Sequence, residues 1–196
     1  MLEAQDLACW RGDRAIFAGL SFHLPAGGAL LLTGPNGAGK SSLLRLLAGL
    51  IPAAEGLLLW DGADALADLA GHARRTRYLS HQDALKPSLT AAENLAFYAR
   101  LWGGQVAPAL VALGLAELAD LPARMLSAGQ KRRLALARLA LAPAPLWLLD
   151  EPTVGLDTAS VARLGALLAA HRAGGGAVVA ATHLPLPLPD AKELAL

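Results

Sequence analysis

The octapeptide GPNGAGKS, residues 34–41, matches the spacing G-x-x-x-x-G-K-[ST] between an apolar run, ALLLT (29–33), and a helix-forming run, GKSSLLRLLAGL (39–50). A phosphate-binding loop requires that strand, loop and helix setting. Gly34, Gly37 and Gly39, with Pro35, Asn36 and Ala38 among them, leave the backbone bare enough for N–H groups to converge on phosphate oxygens. Lys40 can reach the outer phosphates, the Ser41 hydroxyl can ligate Mg²⁺, and Ser42 continues the helix whose N-terminus faces the anion. A tight glycine turn opening an ordinary helix is the alternative, and the complete pattern in its setting outweighs it.

Two further stretches carry chemistry. PLWLLDEP (145–152) is an apolar strand ending in acids, and strand C-termini in open α/β sheets meet the ligand. Asp150 is a candidate for holding Mg²⁺ through water. Glu151 can accept a proton from, or orient, the water that attacks a terminal phosphorus, while Pro152 stiffens the turn. For the acidic pair alone a solvated turn is the simpler reading; the phosphate loop upstream reverses that order. LSAGQKRR (126–133) begins a helix that Ser127 can cap, yet its first turns hold Lys131, Arg132 and Arg133 and no acid. A helix N-terminus bears partial positive charge, so this one awaits an anion from elsewhere. The three cations read as solvated, or facing a helical unit, in preference to touching phosphate.

The frame that must position these residues is set by 196 residues, 55% hydrophobic, with a formal charge of +1. Such a chain buries a sizeable core, and its charge gives no electrostatic case for nucleic acid as a partner. The single cysteine, Cys9, leaves no internal disulfide or cysteine-cluster metal site, and the first residues lack a signal layout, so the cytoplasm is the expected compartment. Charge-free runs over 15–39 and 101–116 are broken by Pro25, Pro108 and glycines, so neither is a continuous span of about 20 apolar residues.

Strands are expected at 2–8, 21–24, 29–33, 56–62 and 77–81, followed by helices to about 142. Thr90 and Glu93 form a capping box at the head of one of them. A buried strand at 145–152, a helix over 158–172 and a third buried strand at 176–183 close the pattern, while LPLPLP (184–189) belongs to neither helix nor sheet. Strands returning around a helical insert imply an α/β fold with a mostly parallel, helix-covered sheet and a helical subdomain over roughly 84–142. His23, His72, His81 and His171 lack ligand-like spacing and read as surface or satisfied residues.

In their order along nearly the whole chain these motifs resemble the ATP-binding subunits of ABC transporters. GPNGAGKS is similar to Walker A, Gln82 in SHQDAL to the Q-loop, LSAGQ to the family signature, and LWLLDE to Walker B. GLD (155–157) is similar to the D-loop and His183 in ATH to the switch histidine. Taken singly, Gln82 would be a polar strand end, Asp157 a helix cap and His183 a loop histidine. The resemblance implies a P-loop NTPase fold, an ABC ATP-binding cassette with N-terminal antiparallel strands and a RecA-like core, as a single domain over 1–196. It implies ATP and Mg²⁺ as cofactors, with Glu151, His183 and Gln82 catalytic and Ser41, Gln82 and Asp150 near the metal. Asp157 would act across a subunit interface, and Ser127, Gly129 and Gln130 would face the γ-phosphate bound by a second copy. The family stacks an aromatic on adenine. Trp10 is a candidate for that role with core packing as its equal alternative, and by distance from Walker A the position can fall on Arg11.

Closer resemblance is to the ATP-binding subunits of the cytochrome c maturation haem exporter, the CcmA family. It rests on LSAGQKRRLALARL with Ala128 where most relatives have glycine, SLTAAENLAFYARL, the opening LEAQDLACWRGDRAIFAGLSF, and the few residues after His183. This implies a homodimeric ATPase, converting ATP and water to ADP and phosphate, that powers haem export or release of a haem-bound chaperone. An integral membrane permease would be its partner, and it would sit peripherally on the cytoplasmic face of a bacterial inner membrane. The alternatives are an ABC subunit for a lipid, drug or metal, and a soluble non-transport ABC ATPase. A P-loop kinase or GTPase would leave LSAGQ, Walker B and the histidine unexplained.

Overall fold

A computed structural model describes residues 1–196. Its strands are β1 (Leu2–Arg11), β2 (Arg14–Leu24), β3 (Ala29–Thr33), β4 (Glu55–Trp60), β5 (Ala63–Asp64), β6 (Thr76–Leu79), β7 (Leu146–Asp150), β8 (Ala177–Ala181) and β9 (Lys192–Ala195). Its α-helices are α1 (Lys40–Leu47), α2 (Leu69–Arg75), α3 (Ala91–Trp102), α4 (Val106–Ala112), α5 (Ala128–Ala137) and α6 (Thr158–Ala173). One sheet is antiparallel, in the order β2-β1-β4-β5; the other is parallel throughout, in the order β6-β7-β8-β3-β9.

The parallel sheet forms where LLL, LWLL and AVVA offer short apolar runs without the alternation of a half-exposed strand, because both of its faces are covered. Successive side chains on a strand point to opposite faces. Leu30, Leu32, Leu146, Leu148, Ala177 and Val179 accordingly pack with the antiparallel sheet and with Leu43, Leu44, Leu46 and Leu47 of α1. Their neighbours Ala29, Trp147, Leu149, Val178 and Ala180 pack with α3, α4, α5 and α6 through Leu95, Leu110, Leu134, Leu164 and Leu168. The sheet is thus a wall shared by two hydrophobic cores.

Between β6 and β7 the chain is helical, as expected. Thr90 Oγ1 accepts from the Glu93 N–H at 3.1 Å and Glu93 Oε2 accepts from the Thr90 N–H at 2.8 Å, so the capping box forms as its residue types dictate. Several sequence expectations need correction. β2 begins at Arg14, seven residues before the expected strand at 21–24, because its outer half pairs with β1 across a hairpin instead of showing an alternating pattern. The helix after the phosphate loop stops at Leu47, three residues short, where Gly49 takes a left-handed φ of 71°. α2, capped by Asp68 whose Oδ1 accepts from the Gly71 N–H, precedes β6 where only strands were expected. β9 follows the proline run and adds to the edge beside β3, pairing Leu30 with Lys192 and Thr33 with Ala195. No helix is long and apolar enough to cross a membrane.

Candidate functional site

The loop between β3 and α1 turns through three left-handed glycines, Gly34, Gly37 and Gly39. At Gly39 the requirement is double: φ is 106°, and a Cβ there would stand 2.5 Å from Ile16 Cγ2 on β2. Bare backbone therefore lets the hairpin of β1 and β2 close over the loop. Gly39 supplies α1 with no side-chain cap, and the first turn holds no acid. The N–H groups opening α1 are left for an anion, where the helix dipole also favours negative charge. Lys40 lies back over the loop, its Nζ donating to the carbonyls of Gly34 at 2.7 Å and Pro35 at 2.9 Å.

A cleft of about 460 Å³ opens here, lined by Asn36, Gly37, Gly39, Lys40, Ser41 and Ser42 below and by Asp150 and Glu151 from the end of β7. Arg11, Arg14, Ala15 and Ile16 form the hairpin wall, and Arg45 and His81 complete the lining. Four fixed cations against two carboxylates make this a receptor for a polyanion. Arg14, Arg45 and His81 were not read from the sequence as site residues; Arg14 comes to the cleft on the hairpin, His81 after the end of β6, and Arg45 on α1, one turn beyond Ser41. Trp10 is 49% exposed, which rules out core packing; it pairs in register with Ala15, a cleft residue, and stands beside Arg11.

Asp150 is 4% exposed and opens to the cleft without an ion-pair partner. A buried carboxylate and the Ser41 hydroxyl offer hard oxygen donors of the kind Mg²⁺ takes when substrate phosphates supply the rest. No cluster of three or more His, Cys, Asp or Glu side chains that could hold a metal ion is present. Glu151 holds a left-handed φ of 49°, a conformation costing a non-glycine residue about 1 kcal/mol or more. Its N–H donates to the Ala181 carbonyl at 2.7 Å, which ties the turn to the end of β8. The carboxylate meets His183: Nδ1 lies 3.0 Å from Oε1, and the His183 N–H donates to Oε2 at 3.4 Å. The pair expected to act at the γ-phosphate is therefore assembled within one chain.

Ser127 caps α5 by accepting from the Gln130 N–H at 3.2 Å, and Gln130 Oε1 accepts from the Ser127 N–H at 2.8 Å. This capping box was not anticipated; the spacing S-x-x-Q carries it. The cap orients the Ser127 hydroxyl at an exposed helix end with no acid in its first turn. Gly129 abuts the D-loop turn, for a Cβ there would lie 2.8 Å from the Gly155 carbonyl oxygen. Asp157 caps α6, accepting from the Ser160 N–H at 2.7 Å, and its hydrogen bonds to Ser160 hold its carboxyl below the usual range. Neither Ser127, Gly129, Gln130 nor Asp157 lines the phosphate cleft of the same chain, and neither does Gln82, which is exposed.

The basic cluster resolves differently from expectation. Arg133 does face the helical unit, donating to the carbonyls of Leu113 and Gly114 at 3.0 Å each. Arg132 instead is buried against the strand end, where its guanidinium donates to the carbonyls of Asp150 and Glu151. Of the remaining histidines, His72 and His171 are bonded to the carbonyls of Leu47 and Ala177, and His23 is exposed.

The model of the ABC transporter family matches residues 17–154. The cytochrome c biogenesis ATP-binding export protein CcmA of Rhodospirillum rubrum is 60% identical, over 98% of this chain and 84% of that protein. Its namesake from Paramagnetospirillum magneticum is 58% identical, over 98% of this chain and 92% of that one. Among solved structures, a dimeric ATP-binding cassette in a post-hydrolysis state with ADP and Pi has the same fold, with a TM-score of 0.82 and 24% identity over 94% of this chain and 88% of that one. Motif, cleft and relatives agree on ATP as the polyanion and on an ABC-type ATPase. The chain belongs to the ABC transporter family, within its branch of cytochrome c biogenesis ATP-binding export proteins.

Proposed function

We propose that two copies of this chain clasp two ATP molecules, each held by the phosphate loop of one copy and by Ser127, Gly129 and Gln130 of the other. The observation that carries this reading is the separation of two incomplete halves: a cationic cleft without LSAGQ, and a capped, acid-free helix end outside that cleft. Head-to-tail pairing completes both at once. Ser41 and Asp150 would hold Mg²⁺, with Gln82 reaching it on closure; when bound, the ion would neutralise phosphate oxygens during transfer. Trp10, or Arg11 beside it, would stack on the base.

Hydrolysis follows from the strand end. A water aligned by Glu151 attacks the γ-phosphorus, its proton passes to the Glu151 carboxylate, and the P–O bond to ADP breaks, leaving ADP and phosphate. His183 stands against that carboxylate and would contact the γ-phosphate. Asp157, at the head of α6 beside Gly155, faces the second copy. The unit over 84–142 passes closure to an integral membrane partner, which places the chain peripherally on the cytoplasmic face of a bacterial inner membrane. The relatives named for cytochrome c biogenesis and export support haem, or a haem-loaded chaperone, as the cargo of this work.

Glu151→Gln is expected to keep ATP affinity, slow turnover by on the order of 10²- to 10⁴-fold, and accumulate an ATP-bound dimer visible by gel filtration. A fully active, monomeric variant would refute the assignment. Co-purification from the native membrane decides the cargo: a dedicated cytochrome c maturation set is expected, and a drug or lipid permease would overturn it.

A further inference from the structure

Arg132 rides on α5 and is 4% exposed, yet its guanidinium serves four acceptors from two other segments. Nη1 donates to the Ser80 carbonyl at 3.1 Å and to Asp83 Oδ1 at 3.0 Å. Nη2 donates to the carbonyls of Asp150 at 2.8 Å and Glu151 at 2.7 Å. Asp83 is gripped a second time from the end of the same helix, where Arg138 Nη2 donates to its carbonyl at 2.9 Å. Guanidinium donors lie in one plane in a fixed fork, so these acceptors are held at set positions by α5.

Three hydrogen bonds hold the Glu151 backbone in its left-handed turn: its N–H donates to Ala181, its carbonyl accepts from Arg132 at 2.7 Å, and the same carbonyl accepts from the Val154 N–H within the turn at 3.4 Å. The first belongs to the sheet and cannot report on α5. The second moves with α5, whose head carries Ser127 and Gly129 about one turn before Arg132. We propose that Arg132 is a positioning residue that ties the aim of Glu151 to the seating of α5 on the partner copy's ATP. This rests on the hydrolytic reading given above. ATP on one copy thereby sets the base of the other copy through a single side chain, and the fork also carries the Ser80–Asp83 segment beside Gln82 along with it.

The test separates action on the same chain from action on the partner. Two differently tagged full-length copies are co-expressed with their membrane partner and purified as mixed dimers. In the first, Arg132→Lys sits on one copy and Glu151→Gln on the other, so the only working base belongs to the altered copy. In the second, both substitutions sit on one copy, and the working base has its arginine. Lysine keeps the charge but cannot serve four planar acceptors. Against a dimer carrying Glu151→Gln alone on one copy, the first arrangement is expected to turn over roughly tenfold or more slowly and the second to stay within about twofold. ATP affinity should hold within about twofold in both arrangements. Equal loss in both, loss confined to the second, or no loss in the first would overturn the proposal. If Arg132→Lys does not fold, Asp83→Ala, which removes the one side-chain acceptor of the four, is measured in the same two arrangements and decided by the same order. Undiminished turnover with Glu151→Gln on both copies would be a different failure, that of the base assignment itself.

Discussion

Glu151 and His183 are 32 residues apart in sequence and meet because β7 and β8 are neighbours that end side by side. His183→Ala removes the imidazole and leaves every phosphate-loop donor in place. Its expected signature is an ATP affinity within about twofold of the parent and a turnover lowered on the order of 10²-fold, read by nucleotide titration and phosphate release. Parallel loss of both would point to a broken fold. The residue types of the phosphate loop, the strand end and the histidine were legible in the sequence, since their chemistry needs those types at those spacings. Arg132 was not: its neighbours Lys131 and Arg133 have the same charge, and only the position of each on the helix sends one of the three to the strand end. His81 and Arg14 escaped for a related reason, being brought to the cleft by tertiary packing, whereas Arg45 follows from its place one turn beyond Ser41 on α1.

At the scale of elements, α5 has two duties that substitution can separate. Ser127→Ala removes the cap and the hydroxyl together, and should cost about 1 kcal/mol of stability along with turnover. Ser127→Asp restores a capping oxygen but sets a carboxylate where the partner's γ-phosphate is to sit. Chemical denaturation should return it close to the parent while ATP-driven dimerisation and turnover are lost. A dimerising, active Ser127→Asp chain would argue against the shared site. The buried strand β3 was read with its own bounds, and β7 and β8 within two residues of theirs, because an apolar run of that length, fenced by glycine, proline or acids, has few other uses. α2 is seven residues long and β9 four, too short for any periodic signal; β9 exists because β3 offers it an unpaired edge.

For the molecule as a whole, acid is the expected weakness. Burial lowers the pKa of both His72 and His171 beneath the ordinary 6.5, so each is neutral in the fold while the unfolded chain takes up a proton first as pH falls. The contribution of neutral burial is complete above about pH 6.5 and declines below it. Urea midpoints should therefore fall between about pH 7.5 and 5.5, and part of that slope should vanish in a His72→Gln, His171→Gln chain. An unchanged slope would assign acid sensitivity elsewhere. The alternation of β7 between the two cores has a consequence for mutational additivity. Leu148 and Leu149 are covalent neighbours with no shared cavity, so the stability losses of their alanine variants should sum, whereas those of Leu146 and Leu148, two positions apart, should interact. Along this strand, energetic kinship runs by odd and even number: proximity in the chain separates what every second residue joins.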